Sequence, residues 1–263
     1  MTSWIRVVED SVPPTGQRPV YLVRRSFDVA AVPASATLRI SAHGVYTAYL
    51  NGHRVGADEF TPGYTDYKFR TQFQQYQVAD LLVAGTNVLV VELADGWYRG
   101  AVGIMQHGDQ YGQHVELWAE LEDDAAAGGV LASTDDQWRS STGSITSADM
   151  FMGQNEDLRL RNPAIHQASF DDSAWRPLAE CQYDGQLIAQ VVEPNRVVEY
   201  LAPKSIRRLG PTTQVVDFGQ NLNGWVRLGK LGQSGTKITL THGEWLDANG
   251  DVTLDHLNVN FPI

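Results

Sequence analysis

VYTAYLNGHRVG, running from Val45 to Gly56, is a strand-like run of β-branched and aromatic residues interrupted by Asn51-Gly52. Asn-Gly supplies the two positive-φ positions of a type I′ turn, whose twist matches that of the strands it joins. The stretch therefore predicts a β-hairpin in which HRVG returns directly after the turn. No helix-period signal competes with it.

The same texture extends in both directions. Upstream, YLVRRSFDV (Tyr21 to Val29) and ATLRIS (Ala36 to Ser41) are bounded by Gly, Pro or Asp and have a period of about two. Downstream, QFQQYQV (Gln72 to Val78) predicts another strand, Ala79-Asp80-Leu81-Leu82 one helical turn, and Ala84 to Asn87 a reverse turn. VLVVEL (Val88 to Leu93) is almost continuously apolar, as suits a central strand covered on both sides. In HVELWAELE (His114 to Glu122), Val115, Leu117, Ala119 and Leu121 share one face, and Trp118 is the odd residue on the polar face. Ala125 to Gly129 reads as a hairpin tip or loose loop. Many short strands with turns every roughly 8–12 residues predict an all-β, antiparallel sandwich of jelly-roll, carbohydrate-binding-module-like or immunoglobulin-like kind.

The texture changes in VVEPNRVVEYLAPKSIRRL, residues 191–209, which carries two prolines and a basic cluster. It divides the chain into a first β-sandwich domain, 1–190, and a second β-domain, 191–263. The second has strand candidates at Gln214 to Phe218, Gly224 to Leu228 and Lys237 to His242, and is near the lower size limit for an independent core. Because Phe261-Pro262-Ile263 follow without a closing strand, the second domain is expected to be incomplete and the chain a fragment. An open sheet edge would favour pairing with another chain, so a homodimer is a candidate assembly.

With 43% hydrophobic and 19% charged residues, the composition is that of a globular chain with a real core. Acidic residues outnumber basic ones 31 to 20, a net charge of −11. That balance, with no clustered Lys/Arg stripe, argues against nucleic acid and anionic membrane as partners and is compatible with a neutral glycan. The single cysteine, Cys181, excludes an intrachain disulfide and reads as a packing residue. Met1 to Asp10 contains no apolar run of a secretion signal, so a cytoplasmic location is the expectation.

Two segments concentrate turn formers and aromatics. DEFTPGYTDY (Asp58 to Tyr67) carries Pro62-Gly63, a type II turn signal. LADGWYRG (Leu93 to Gly100) follows directly on the apolar strand and carries Trp97 and Tyr98. It reads either as a loop-borne binding site or as a plug closing the end of the sandwich. The acidic clusters Glu122-Asp123-Asp124, Asp135-Asp136 and Asp171-Asp172 sit in turn-like polar contexts, where Asp stabilises the backbone. The histidines show no metal-ligand spacing, no GxSxG elbow exists, and the glycines from Gly103 to Gly112 lack the strand–helix context of a phosphate loop.

YLNGHRVG (Tyr49 to Gly56), FTPGYTDY (Phe60 to Tyr67) and LADGWYRG together resemble the amino-terminal β-domain of bacterial α-L-rhamnosidases of glycoside hydrolase family 78. STDDQWRSSTGSITSADMFMGQNEDLR (Ser133 to Arg159) is similar to that domain's closing section. It carries Gly153-Gln154-Asn155-Glu156-Asp157 where the family usually has Gly-Glu-x-Tyr-Asp. FDDSAWRPL (Phe170 to Leu178) resembles the family's segment before its second domain. VVDFGQNLNGWVRL and ITLTHGEWLDANGDV, within 215–252, resemble the start of the following β-domain.

The resemblance implies a non-catalytic region of an enzyme that hydrolyses terminal α-L-rhamnosides with inversion, its acidic catalytic residues lying in an (α/α)₆ barrel absent from this chain. No catalytic role is therefore assigned here. Related domains bind L-rhamnose through calcium, an ion that takes oxygen ligands. By that resemblance Asp66 and Asp95 are candidate metal ligands, and Tyr64, Trp97 and Tyr98 candidate sugar contacts. Three functions remain open: an accessory region partnered by the barrel and a rhamnose-containing glycan, a stand-alone calcium-dependent lectin-like module, and a glycosidase built from the sandwiches alone. The last would need two facing carboxylates about 5–9.5 Å apart.

Overall fold

Asn51 (φ 51°) and Gly52 (φ 83°) both adopt the left-handed region, and the strands on either side pair Leu50 with His53 and Tyr49 with Arg54. The two-residue hairpin is formed as its sequence requires. Asn51 also secures it from the side: its Oδ1 accepts from the Val88 backbone at 2.9 Å and its Nδ2 donates to the Leu81 carbonyl at 2.9 Å. The computed structural model describes residues 2–103, 105–125, 129–229, 232–233 and 235–255.

The chain forms two compact units, Met1–Arg196 and Val197–Ile263. In the first, a six-stranded antiparallel sheet runs in the order Arg176–Pro177, Arg139–Thr142, Tyr21–Val29, Gly85–Ala94, Val45–Leu50, His53–Arg54. The other sheet runs Ala179–Cys181, Trp4–Arg6, Glu116–Asp123, Ala36–His43, Arg70–Gln77, Gln186–Ala189, with Gly129–Ser133 also paired to Glu116–Asp123. Its edge strand Gln186–Ala189 lies parallel to Arg70–Gln77, the one departure from an antiparallel arrangement in these two sheets.

Inward residues of both sheets merge into one apolar cluster. Leu38, Ile40, Leu117 and Leu121 come from one sheet, Val23, Leu89, Val91 and Leu93 from the other, and Trp138 is fully buried among them. Trp118, on the opposite face of its strand, packs against Phe73 with ring centroids 5.9 Å apart. Gly85–Ala94 is apolar on both faces for a visible reason. Leu89, Val91 and Leu93 face the central core, while Val88 and Val90 meet Ile165, Phe170 and Trp175 of a segment laid over the outside. Arg24 anchors that segment by donating from Nε to the Ile165 carbonyl and from Nη2 to the Gln167 carbonyl, each at 2.9 Å, and by pairing with Asp172.

The first unit continues as far as Arg196 because Asn195–Arg196 pairs with Asp58–Glu59 and Arg196 Nε donates to Asp58 Oδ1 at 2.6 Å. Ala79–Leu81 is a single 3₁₀ turn. The hydrogen-bonded turn near Pro62 spans Phe60 to Gly63, closed by Gly63 N to Phe60 O at 3.0 Å, with a cis Thr61-Pro62 bond. Proline thus occupies the third turn position, the type VI arrangement rather than the expected type II.

In the second unit two antiparallel ladders form, Ser205–Arg208 with Gln214–Asp217 and Trp245–Leu246 with Val252–Thr253. Residues 224–228 and 237–242 are not strands. Neither segment finds a ladder partner among the described residues, and a strand exists only through such pairing. The centre of the Ala125–Gly129 tip and the Phe261-Pro262-Ile263 terminus lie outside the described residues, as does His256. Among the described residues no helix is long and apolar enough to cross a membrane.

Candidate functional site

One end of the sandwich is where Ala36–His43 and Gly85–Ala94 finish and where Val45–Leu50, Arg70–Gln77 and Glu116–Asp123 begin. The loops that join these strand ends are the aromatic-rich segments singled out in the sequence. Gly85–Ala94 passes directly into the short helical turn Gly96–Arg99, which presents Trp97 and Tyr98. That turn requires glycine at its start. Gly96 has φ 53°, and a Cβ there would lie 2.7 Å from Val45 Cγ1 and 2.9 Å from the Gly44 backbone.

The structure brings Tyr64, Trp97 and Tyr98 into one aromatic group. Tyr64 and Trp97 meet edge to face at 6.4 Å, and Phe60 meets Trp97 at 6.3 Å. Tyr64 and Tyr111 share a hydroxyl–hydroxyl hydrogen bond of 3.0 Å. Tyr67 lies beneath them, with its ring 5.3 Å from Tyr98 and 5.0 Å from Tyr111. Tyr64 is 59% exposed and Phe60 48%, while Tyr67 is buried. The group therefore has an open outer face on a packed inner layer.

Below it runs a stacked column. His43 lies between Trp4, at 4.2 Å and 11°, and Tyr98, at 4.5 Å and 5°. The His43 ring is fixed at both nitrogens, Nδ1 to Glu116 Oε2 at 2.6 Å and Nε2 to Thr71 Oγ1 at 3.2 Å. Burial raises the Tyr67 and Tyr98 phenols well above the ordinary tyrosine range. Tyr111 is pushed up to about 12, chiefly by its hydrogen bond with Tyr64. All three are neutral donors at physiological pH. Cys181, behind the column, is pushed up to about 12 by burial and by Glu116, as befits an inert packing residue.

The two acidic candidates lie in different settings. Asp66 caps a turn, its Oδ1 accepting from Lys68 N at 3.2 Å. Asp95 is buried between two cations, with Arg18 Nη1 at 3.3 Å and Arg99 Nε at 3.5 Å. Burial lifts its carboxyl to about 6, against the downward pull of Arg99 and Arg18. A divalent ion at Asp95 would meet two guanidinium groups, so this position does not fit a calcium ligand. Among the described residues no group of three or more His, Cys, Asp or Glu side chains is arranged to hold a metal. The acidic clusters serve the fold: Asp123 accepts from Ala125 N, Asp135 from Gln137 N and Asp171 from Ser173 N, each at 2.9 Å, while Asp124 accepts from the Ser35 and Thr37 hydroxyls and Asp172 pairs with Arg24.

Sequence reading missed Trp4, His43, Tyr67, Tyr111 and the buried charges Arg18 and Arg99. Tyr67 had a local signal, since it closes the turn-rich aromatic segment Asp58 to Tyr67, whereas Tyr111 sits in a glycine-rich stretch without aromatic neighbours in sequence. Arg18, in a loop between prolines, gave none.

Comparison with known proteins identifies the family and matches the fold. Residues 31–199 match the family described as the α-L-rhamnosidase N-terminal domain, and residues 207–261 match the bacterial α-L-rhamnosidase concanavalin-like domain. The chain is 38% identical over 220 residues to an α-L-rhamnosidase of Streptomyces avermitilis, covering 82% of this chain and 21% of that one. It is 30% identical over 264 residues to an α-L-rhamnosidase of Alteromonas sp., covering 97% of this chain and 28% of that one. The crystal structure of the Streptomyces avermitilis α-L-rhamnosidase, solved with L-rhamnose, superposes with a TM-score of 0.82 at 34% identity, over 92% of this chain and 24% of that chain. The chain thus spans about a quarter or less of these solved and curated relatives' length in most cases, and its amino-terminal β-domain and the segment after it belong to the α-L-rhamnosidase family.

Proposed function

We propose that this chain is the accessory, sugar-contacting β-region of an α-L-rhamnosidase, and that the aromatic face of Tyr64 and Trp97 is where it meets a rhamnose-containing glycan. Glycoside hydrolysis is assigned to a separate catalytic domain, because among the described residues no carboxylate pair at this site is free of turn or ion-pair duties. The observation that carries the reading is the convergence of Tyr64, Trp97, Phe60 and Tyr111 at one sandwich end. Aromatic rings offer a flat apolar surface to the C–H face of a pyranose, and tyrosine hydroxyls can exchange hydrogen bonds with its hydroxyls. The crystallised Streptomyces avermitilis relative was solved with L-rhamnose, which selects the probe.

The test is calorimetric titration of the chain with L-rhamnose, first with calcium and then with chelator. Saturable binding that Tyr64→Ala and Trp97→Ala each weaken by about tenfold, the loss of one good contact, supports the reading. No heat at millimolar sugar overturns it. Binding abolished by chelator would instead favour the calcium-dependent lectin-like module.

A further inference from the structure

We propose that Arg18 is a positioning residue for the aromatic face, holding two of the segments that carry it, the Trp97–Tyr98 turn and the stretch with Tyr111, at a fixed spacing without touching the sugar. This rests on the proposed sugar-contact role of that face, but its structural core stands on four contacts of one buried guanidinium. Arg18 is 2% exposed. Its Nε donates to the Pro13 carbonyl at 2.7 Å, Nη1 to the Arg99 carbonyl at 3.0 Å and Asp95 Oδ2 at 3.3 Å, and Nη2 to Asp109 Oδ2 at 3.0 Å. The Arg99 carbonyl closes the turn bearing Trp97 and Tyr98. Asp109 opens the segment bearing Tyr111. A single planar fork therefore spans the bases of the Trp97–Tyr98 turn and of the Tyr111 segment.

The backbone repeats the link. Asp109 N donates to the Arg99 carbonyl at 2.9 Å, and Tyr111 N to the Tyr98 carbonyl at 3.3 Å. Arg99 extends the network to Glu9, with Nη2 to Oε1 at 2.8 Å, and Glu9 also accepts from the Tyr21 hydroxyl. Two arginines and the acids Asp95, Asp109 and Glu9 thus form a nearly balanced charge cluster under the site. Lysine cannot reproduce it, because an ammonium lacks the planar set of donors needed to reach three segments at once. A preformed face costs less ordering on binding than a mobile one, so the cluster should act on affinity through organisation.

The experiment compares wild type with Arg18→Lys, Asp109→Asn and Val91→Ala, the last a central-core control. Near-ultraviolet circular dichroism reports the fixed packing of the aromatic rings, far-ultraviolet dichroism the sheets, and L-rhamnose titration the function. Arg18→Lys is expected to lose near-ultraviolet signal with the sheets intact and to weaken sugar binding by about tenfold. Asp109→Asn, which removes one link, should show a smaller change of the same kind. Val91→Ala should lower the melting temperature yet keep both aromatic signal and affinity. If Arg18→Lys keeps the wild-type aromatic signal, or differs from wild type only as Val91→Ala does, the proposal is overturned. If wild type binds no rhamnose, the sugar-contact reading fails, while the aromatic signal of Arg18→Lys still decides whether the cluster orders the face. Should Arg18→Lys not fold, Asp109→Asn alone carries the same two outcomes.

Discussion

Tyr67, Tyr98 and Tyr111 make the residue scale measurable, because their environments shift their ionisation in one direction. Burial raises Tyr67 and Tyr98, and the Tyr64 hydrogen bond pushes Tyr111 up to about 12. A phenol whose folded pKa lies above its unfolded value of ~10 contributes stability that is complete below pH ~10 and lost as pH rises toward the folded value. The melting temperature should therefore fall as pH rises from ~10, with a late part of the phenolate absorbance, that of these three rings, appearing together with unfolding. A melting temperature that stays flat across this range would show that these rings are not packed as described. Tyr64, Trp97 and Tyr98 were legible as candidates because aromatics crowd two turn-rich segments. Their base was not, since neither periodicity nor spacing tells which loop arginine enters a core. Asp95 shows the consequence: the family resemblance offers it as a calcium ligand, whereas in the fold two guanidinium groups face it.

At the scale of elements, the Asn51-Gly52 hairpin and the Val88–Leu93 run carried the sandwich in plain view. Local rules decide both: the turn needs two positive-φ residues, and a strand apolar on both faces needs two coverings. Gly52→Val places a β-branched residue at φ 83° and should cost about 1–2 kcal/mol. Leu117→Ala, emptying a fully buried site in the central cluster, should cost about 2–5 kcal/mol. Urea denaturation of both variants checks the order, and an equal or reversed cost would mean that the turn, not the core, limits stability. What covers Val88 and Val90 was illegible, because residues 162–175 have no strand pattern and are held by Arg24 through backbone carbonyls. The parallel edge strand Gln186–Ala189 was hidden likewise, since pairing direction is set by how the chain returns to the sheet.

On the scale of the whole molecule, ordered motifs revealed the family sooner than the fold of each part. The second unit shows the limit of that reading. Its residues 207–261 match the concanavalin-like family, yet two of its expected strands lack ladder partners among the described residues. The proposed sugar contact belongs to the first unit alone, at the aromatic end of the sandwich. A crystal structure of the chain soaked in L-rhamnose tests it most directly. The account predicts the pyranose against Trp97 and Tyr64, with its hydroxyls near Tyr111. Sugar seated elsewhere, for instance in the groove of about 310 Å³ bordered by Glu9, Ser140 and Trp175, with the aromatic face bare, would contradict it.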